Sequence, residues 1–512
     1  MQLTLTNITY SYEDAPKQAL IPITATIPEG WTGIVGNNGC GKTTLLRLIC
    51  GELKPLSGQI VPQIGGTYCA QETESAPAEA DDFILDYSSE ALHIKRILEI
   101  KDDWVWLYDR LSDGERKRLQ IAVALWKNPP VLALDEPTNH VDAPCRERLI
   151  AALVGYQGVG LLVSHDREML DVLAKQCLFI GSKAIMRPGN YSQGHEQEQI
   201  EQRAAVLERK SAKNELARLK LVKASRDQEA ARADARRSKR NIPKGDKDAK
   251  ARIDLAIFTG QDGKAGKRSV QINSQLAAAQ QRLEQSQVEK SYTANVWLDA
   301  EPSHRRLILE LERGRLAFGT GERLDGRVEK LDGSQGTSFL NVPSLSIAPT
   351  DHIALTGPNG AGKTTLVKAL VRALPTDLRL LYLPQELSTN ERHKQLATLK
   401  KLPTDQRGRV LSIVAQLNSN PDSLLSGTIA SPGETRKLML ALGILTHPQI
   451  IIMDEPTNHL DLISIEALEA MLSACPCAIL LVSHDERFLS ATTNIRWRVT
   501  PTSKGSALHI EA

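Results

Sequence analysis

Four short runs of the chain contain no charged or amide side chain: Val131–Leu134, Gly160–Val163, Ile450–Met453 and Ile479–Val482. Unbroken apolar runs of this length fit strands buried on both faces, as in a parallel sheet covered by helices. Met1–Tyr10 alternates polar and apolar residues instead and reads as a half-solvated strand, not as a signal peptide. Between Gly194 and Arg240 the pattern changes again. That stretch holds neither Gly nor Pro and is rich in Glu, Gln, Ala, Arg and Lys. Such composition predicts one long helix, about 70 Å at about 1.5 Å per residue. Asn241-Ile-Pro-Lys-Gly245 breaks it, and a second helical stretch runs to about Lys290. There Ile272, Leu276, Ala279 and Leu283 recur at steps of 4, 3 and 4, a single narrow seam of coiled-coil type, while Gly260, Gly263 and Gly266 weaken the first half. The segment reads as an antiparallel helical hairpin with its tip near residues 241–246; a solvated linker is the other reading.

The flanking stretches are copies of one another. Gly36-Asn-Asn-Gly-Cys-Gly-Lys42-Thr43-Thr44 returns as Gly357-Pro-Asn-Gly-Ala-Gly-Lys363-Thr364-Thr365. Asp135-Glu136-Pro-Thr-Asn-His-Val-Asp142 returns as Asp454-Glu455-Pro-Thr-Asn-His-Leu-Asp461, and Ser164-His165-Asp166 as Ser483-His484-Asp485. Glu136 to His165 and Glu455 to His484 are both 29 steps. The expected fold class is therefore α/β: two tandem phosphate-loop nucleotide-binding domains joined by a helical coiled-coil hairpin. The expected boundaries are 1–193, 194–304 and 305–512.

Composition adds three points. The 512 residues exceed one ordinary core, and no run of about 18 apolar residues could span a membrane. Seven scattered cysteines form no zinc-like spacing and no disulfide framework, which points to a reducing, cytoplasmic setting. The net charge is only +2, yet residues 201–270 hold 20 Lys/Arg against 10 Asp/Glu, so the middle of the chain is suited to a polyanionic partner.

The repeated glycine-rich motif is a phosphate cradle, in which backbone N–H groups and a helix N-terminus face the phosphates. Its residues are Gly36, Asn37, Asn38, Gly39, Cys40, Gly41, Lys42, Thr43 and Thr44, and then Gly357, Pro358, Asn359, Gly360, Ala361, Gly362, Lys363, Thr364 and Thr365. Lys42 and Lys363 add charge, while Thr43 and Thr364 offer hydroxyls to Mg²⁺. Asp135 and Asp454 end apolar strands, where they would complete the Mg²⁺ shell. Glu136 and Glu455 follow, placed to polarise an attacking water. His165 and His484 follow a further strand and are candidate γ-phosphate sensors. The cofactors implied are ATP and Mg²⁺.

On these motifs, the charged linker and the lack of membrane spans, the chain resembles the ABC ATPase superfamily and, within it, the ABC-F family of soluble twin-cassette proteins. The resemblance covers nearly the whole chain. It implies that Gln71 and Gln385 are glutamine-loop residues reaching nucleotide and metal, and that Asp142 and Asp461 speak across the halves. It makes Tyr12, 24 residues before Gly36, the adenine-stacking aromatic. Gly333 stands at that offset in the second half, leaving Phe318, ahead of an insertion, as the candidate there. The signature loops depart from the family pattern: Leu111-Ser112-Asp113-Gly114-Glu115 and Ala430-Ser431-Pro432-Gly433-Glu434. In the family each signature closes on the opposite cradle, so Ser112, Gly114 and Glu115 would serve Lys363, and Ser431, Gly433 and Glu434 would serve Lys42. Pro432 lacks an N–H, and Asp113 brings a carboxylate towards phosphates.

The resemblance implies an ATPase whose two halves pair within one chain, expected to be a monomer with no membrane partner. The leading reading is a translation factor or ribosome-protection protein that contacts the ribosome or its RNA through the basic linker 201–270. An alternative is an ATPase acting on branched DNA or structured RNA, although the basic coiled-coil tail of such relatives is missing here. A motor subunit of a transporter is a further alternative. No arm insertion is expected, because Gln71 to Ser112 is 41 steps and Gln385 to Ser431 is 46.

Overall fold

The computed structural model describes residues 1–12, 19–139, 141–237, 262–285, 300–318, 338–385, 387–426, 431–502 and 505–511. They fall into two compact units, residues 1–194 with 292–512, and residues 195–291.

The first cassette opens with β1 (Gln2–Tyr10), β2 (Leu20–Pro28), β3 (Gly30–Gly36), α1 (Lys42–Cys50), β4 (Ser57–Val61) and β5 (Thr67–Cys69). A helical region follows, with α2 (Ala80–Leu85), α3 (Ser89–Ile97) and α4 (Asp113–Trp126). The chain then alternates β6 (Val131–Asp135), α5 (Ala143–Val154), β7 (Val159–Val163), α6 (Arg167–Leu173), β8 (Ala174–Ile180) and β9 (Ala184–Pro188). Two sheets result: an antiparallel one in the order β2-β1-β4, and a six-stranded one in the order β5-β6-β7-β3-β8-β9. In the latter only β9 runs antiparallel to its neighbour.

The apolar runs explain this core. Leu132, Leu134 and Leu162 pack into one cluster with Trp31 and the helical region. The alternate residues Val131, Ala133, Val159 and Leu161 pack into another with Ile34, α1 and the antiparallel sheet. A strand facing two cores has no polar face to show, hence the unbroken run.

The linker unit contains α7 (Tyr191–Arg237) and α8 (Asp262–Gln285). The expected hairpin tip at 241–246 lies outside the described residues, as does the stretch from 286 to Lys290. α7 begins three residues before Gly194, and Gly194 lies against Phe179, where a Cβ would come within 2.8 Å of the ring. α8 runs through Gly263 and Gly266 rather than breaking at them. Ile272 and Ala279 are its buried positions and Leu276 and Leu283 its half-buried ones; on α7 the buried positions include Ala212 and Leu216. Arg282 lies 3.8 Å from Glu215.

The second cassette repeats the plan. Its elements are β10 (Leu309–Leu311), β11 (Gly314–Phe318), β12 (Ser338–Val342), β13 (Leu345–Ile347), β14 (His352–Thr356), α9 (Lys363–Ala373) and β15 (Leu380–Leu383). Next come α10 (Thr389–Lys401), α11 (Thr404–Gln416), α12 (Pro421–Ser426), α13 (Pro432–Ile444), β16 (Ile450–Asp454), α14 (Leu462–Ser473), β17 (Ala478–Val482), α15 (Glu486–Thr492), β18 (Ile495–Thr502) and β19 (Gly505–Glu511). The order β18-β14-β17-β16-β15 within its eight-stranded sheet matches β8-β3-β7-β6-β5 of the first. Ile450 and Ile452 again face one core and Ile451 and Met453 the other. Among the described residues no helix is long and apolar enough to cross a membrane.

Candidate functional site

Each cradle forms where a buried central strand hands over to a helix. Gly41 and Gly362 cap α1 and α9 in the left-handed conformation, both at φ 95°, and no side chain caps either helix. A Cβ at Gly41 would come within 2.4 Å of the Ala19 carbonyl, so only glycine fits. The first N–H groups of both helices are thereby left for an anion. Lys42 Nζ donates to the carbonyls of Gly36 at 2.7 Å and Asn37 at 3.1 Å. Lys363 Nζ does the same to Gly357 at 2.7 Å and Pro358 at 3.0 Å. Each ammonium therefore spans the mouth of its own loop, with its charge over the ring of N–H groups.

The strand-end carboxylates stand beside the cradle threonines. Thr43 Oγ1 donates to Asp135 Oδ2 at 2.6 Å, and Thr364 Oγ1 to Asp454 Oδ2 at 3.0 Å. A hydroxyl and a carboxylate side by side are the hard oxygen donors that suit Mg²⁺, which keeps most of its shell for water and phosphate. Tyr68 on β5, which the sequence reading did not single out, donates a second hydrogen bond to Asp135 Oδ2 at 3.0 Å.

Glu136 and Glu455 sit one residue past strands β6 and β16, in the left-handed region at φ 47° and 49°. Strain of this kind concentrates at functional sites. Each is pinned from behind, its N–H donating at 2.8 Å to the Val163 or Val482 carbonyl. Both carboxyls are buried, and Oε1 of each has no hydrogen-bond partner although it lies 3.2 Å (Glu136–His165) or 3.5 Å (Glu455–His484) from a histidine Nε2. Burial pushes both carboxyls up to about 8, against the opposing pull of Lys42 or Lys363. Burial and the same lysines push His165 down to about 3 and His484 down to about 4, so both imidazoles are neutral at pH 7. An unpaired buried oxygen beside a neutral imidazole is a place for an ordered water.

The two halves meet at these groups. One cleft of about 790 Å³ is lined by Ser112, Asp113 and Gly114 of the first cassette and by Gly360, Lys363 and Thr364 of the second. Its walls also carry Gln385, Asp454, Glu455 and His484, and from the first cassette Glu136 and His165. Its size lies within the roughly 300–1,000 Å³ of ligand pockets. On the opposite side Asn38 Nδ2 of the first cradle donates to the His459 carbonyl at 3.0 Å. Asp142 Oδ2 accepts the Asn359 N–H at 3.3 Å, whereas Asp461 stays within its own cassette, capping α14 through Ser464. Ser112 and Ser431 are the N-caps of α4 and α13, each in a capping box with Glu115 or Glu434. Pro432 occupies the first helical position, where its missing N–H costs the helix nothing.

Tyr12 hydrogen-bonds Thr44 at 3.1 Å, beside the first cradle, and its ring meets Tyr10 edge-on at 5.0 Å. Phe318 ends β11, but its side chain lies outside the described residues. The glutamine-loop carbonyls are held by buried cations that the sequence reading missed: Lys117 Nζ donates to Gln71 O at 3.0 Å, and Arg436 Nη2 donates to Gln385 O.

The family model described as ABC transporter matches residues 20–139 and again 340–458. The ribosome protection protein VmlR of Bacillus subtilis (strain 168) is 29% identical over 517 residues, covering 96% of this chain and 85% of that protein. The tylosin resistance ATP-binding protein TlrC of Streptomyces fradiae is 29% identical over 560 residues, covering 96% of each. Among solved structures, the RNase-L Inhibitor shares the fold with a TM-score of 0.60 at 17% identity, over 98% of this chain and 89% of that one. Fold and paired cradles define an ABC ATPase with both cassettes in one chain. Its relatives along nearly the full length are ABC-F proteins.

Proposed function

We propose that the chain is an ATP-driven clamp that acts on the ribosome, as a translation factor or ribosome-protection protein. The observation that carries this reading is the shared cleft, where the signature of one cassette faces the cradle of the other. A nucleotide held by Lys363 is then completed by Ser112 and Gly114, and one held by Lys42 by Ser431 and Gly433. Tyr12 stacks on adenine in the first site. Asp142 and Asp461 report one site to the other. Thr43, Asp135 and Gln71, and in the second site Thr364, Asp454 and Gln385, hold Mg²⁺, which neutralises phosphate charge when bound. Glu136 and Glu455 take a proton from water, and a base poised near the working pH suits that task. Neutral His165 and His484 orient the same water and the γ-phosphate. Closure fixes the halves, and hydrolysis releases them.

The relatives support this target: one is named for ribosome protection and another for tylosin resistance. The basic segment 201–270, within a linker placed at 194–304, supplies the phosphate-neutralising charge that RNA binding needs. The test is sedimentation of a tagged Glu136→Gln/Glu455→Gln chain from lysate on a sucrose gradient with ATP. Co-migration with intact ribosomes, lost when 194–292 is replaced by a short flexible linker, is the expected result. Protein left at the top of the gradient would end the ribosome reading.

A further inference from the structure

Asn418 follows α11 in the left-handed region, at φ 57°. Its side-chain Nδ2 donates across the cassette interface to Asn37 Oδ1 of the first cradle at 2.9 Å, and lies 3.2 Å from Asp461 Oδ1. The residue is fixed from behind: Lys437 Nζ donates to its carbonyl at 3.3 Å, and Lys437 is itself paired with buried Asp461 at 3.6 Å. An amide on a rigid corner thus holds the tip of a phosphate loop belonging to the other half.

The matching corner of the first cassette is Glu99, which follows α3 at φ 50°. The preceding residues, Leu98 and Leu417, are both buried, and the basic side chain six places after the signature serine reaches the corner in each case, Arg118 to the Leu98 carbonyl at 3.0 Å. Glu99 carries no amide, and its carboxylate is engaged by Arg148 at 2.9 Å within its own cassette. The second cradle has Pro358 where the first has Asn37, so it has no side-chain amide at that position. Both halves of the amide pair are therefore present on one side of the interface and replaced on the other.

We propose that Asn418 is a positioning residue that holds the second cassette on the first cradle through Asn37, and that the Lys42 site consequently releases nucleotide more slowly than the Lys363 site. This rests on the reading of both cradles as ATP sites. The amide pair must part before the first cradle can open, in addition to the Asn38 contact with the His459 carbonyl, whereas at the second cradle Pro358 and Glu99 form no matching pair beyond the contact of Asp142 with Asn359. The contact lies at the loop tip, not at the reacting atoms, so it acts on release and not on the chemical step.

The test is stopped-flow release of a fluorescent N-methylanthraniloyl-ATP from the full chain, chased with unlabelled ATP. The unsubstituted chain shows a slow and a fast phase. Asn418→Gly removes the amide while tolerating the left-handed backbone, and it speeds the slow phase by roughly threefold to tenfold, the range of one net hydrogen bond. Asn37→Pro, which copies the second cradle, does the same, and the double variant does no more. The fast phase stays in place and reports intact folding. A slow phase that survives both substitutions, or a change confined to the fast phase, overturns the inference while two bound nucleotides per chain leave the ATP reading intact. Absence of saturable nucleotide binding would remove that reading and the inference with it.

Discussion

The two cassettes share one skeleton and the same signature serines and glycines, and they differ at several places around the two nucleotide sites. Strand order, cradle geometry and the left-handed glutamates superpose in kind. The differences are Asn37 against Pro358, Cys40 against Ala361, Asp113 against Pro432, Glu99 against Asn418 and Lys117 against Arg436. The four apolar strand runs differ only among apolar residues, because each strand faces two close-packed cores. The interface varies more widely, because a changed side chain there alters the strength of closure without unfolding either half. The comparison teaches that one skeleton carries two sites with unequal linings.

The hardest test of that inequality is removal of the water-activating carboxyls one at a time. Glu136→Gln with Glu455→Gln should lower ATP turnover by at least about 100-fold, as loss of a general base does, while nucleotide is still retained. If the first site releases slowly, Glu455→Gln alone removes more turnover than Glu136→Gln alone. Equal losses in a phosphate-release assay would break the comparison.

A smaller effect is expected from Tyr12→Ala. Stacking of a base on an aromatic is worth about 1–3 kcal/mol, so affinity for one of the two nucleotides should fall roughly tenfold or more, and the other should be untouched. Isothermal titration resolves the two; a uniform fall would mean that Tyr12 supports the fold and not the base. Smaller again is the effect of the signatures. Asp113→Gly removes a carboxylate from the cleft that also holds Lys363, and Pro432→Gly restores an N–H to the other signature. Each should raise turnover a few-fold, and unchanged turnover in both would show that the signature departures are neutral.

How much of this was legible in the sequence depends on the range of the forces involved. β6, β7, β16 and β17 start and end within a residue of the apolar runs that predicted them, because burial on both faces leaves a local mark. The cradles were legible because glycine spacing encodes a backbone shape. Asn418, Tyr68 and Lys117 were not. Each is an ordinary surface-type residue in the chain and acquires its role only when a distant segment arrives: Asn37 for Asn418, Asp135 for Tyr68, Gln71 for Lys117. One signal was available for the first: Asn418 lies 13 residues before Ser431, as Glu99 lies 13 residues before Ser112, so the two positions match in the repeat. The helix start at Tyr191 lies ahead of the expected one because the expected start rested on composition after Gly194, whereas Gly194 is inside the helix and in close contact with Phe179.

The smallest effect separates the two buried cations behind the glutamine loops. Lys117 is pushed down to about 8, mainly by burial, although Asp135 and Glu136 pull the other way. Arg436 in the second cassette is also lowered by burial, but a guanidinium stays charged throughout the accessible range. Below pH 8 Lys117 is charged in both folded and unfolded chains, and the cost of burying that charge is present in full. Between about 8 and the unfolded value of 10.5 the folded chain has released the proton and the unfolded chain has not. The unfolded state then binds more protons, so stability rises with pH through this window; equivalently, the contribution is lost as pH falls through about 8. Lys117→Arg makes the first site resemble the second and abolishes the gain. In paired thermal melts the unsubstituted chain should therefore improve on the variant by a few degrees between pH 7.5 and 10, at about 2–4 °C per kcal/mol for domains of about 150–250 residues. All other titrating groups are common to both chains and cancel in the difference. A constant gap across that window would mean that Lys117 keeps its proton when buried, held by the carbonyls of Ala70 and Gln71, and that the two glutamine loops are electrostatically alike after all.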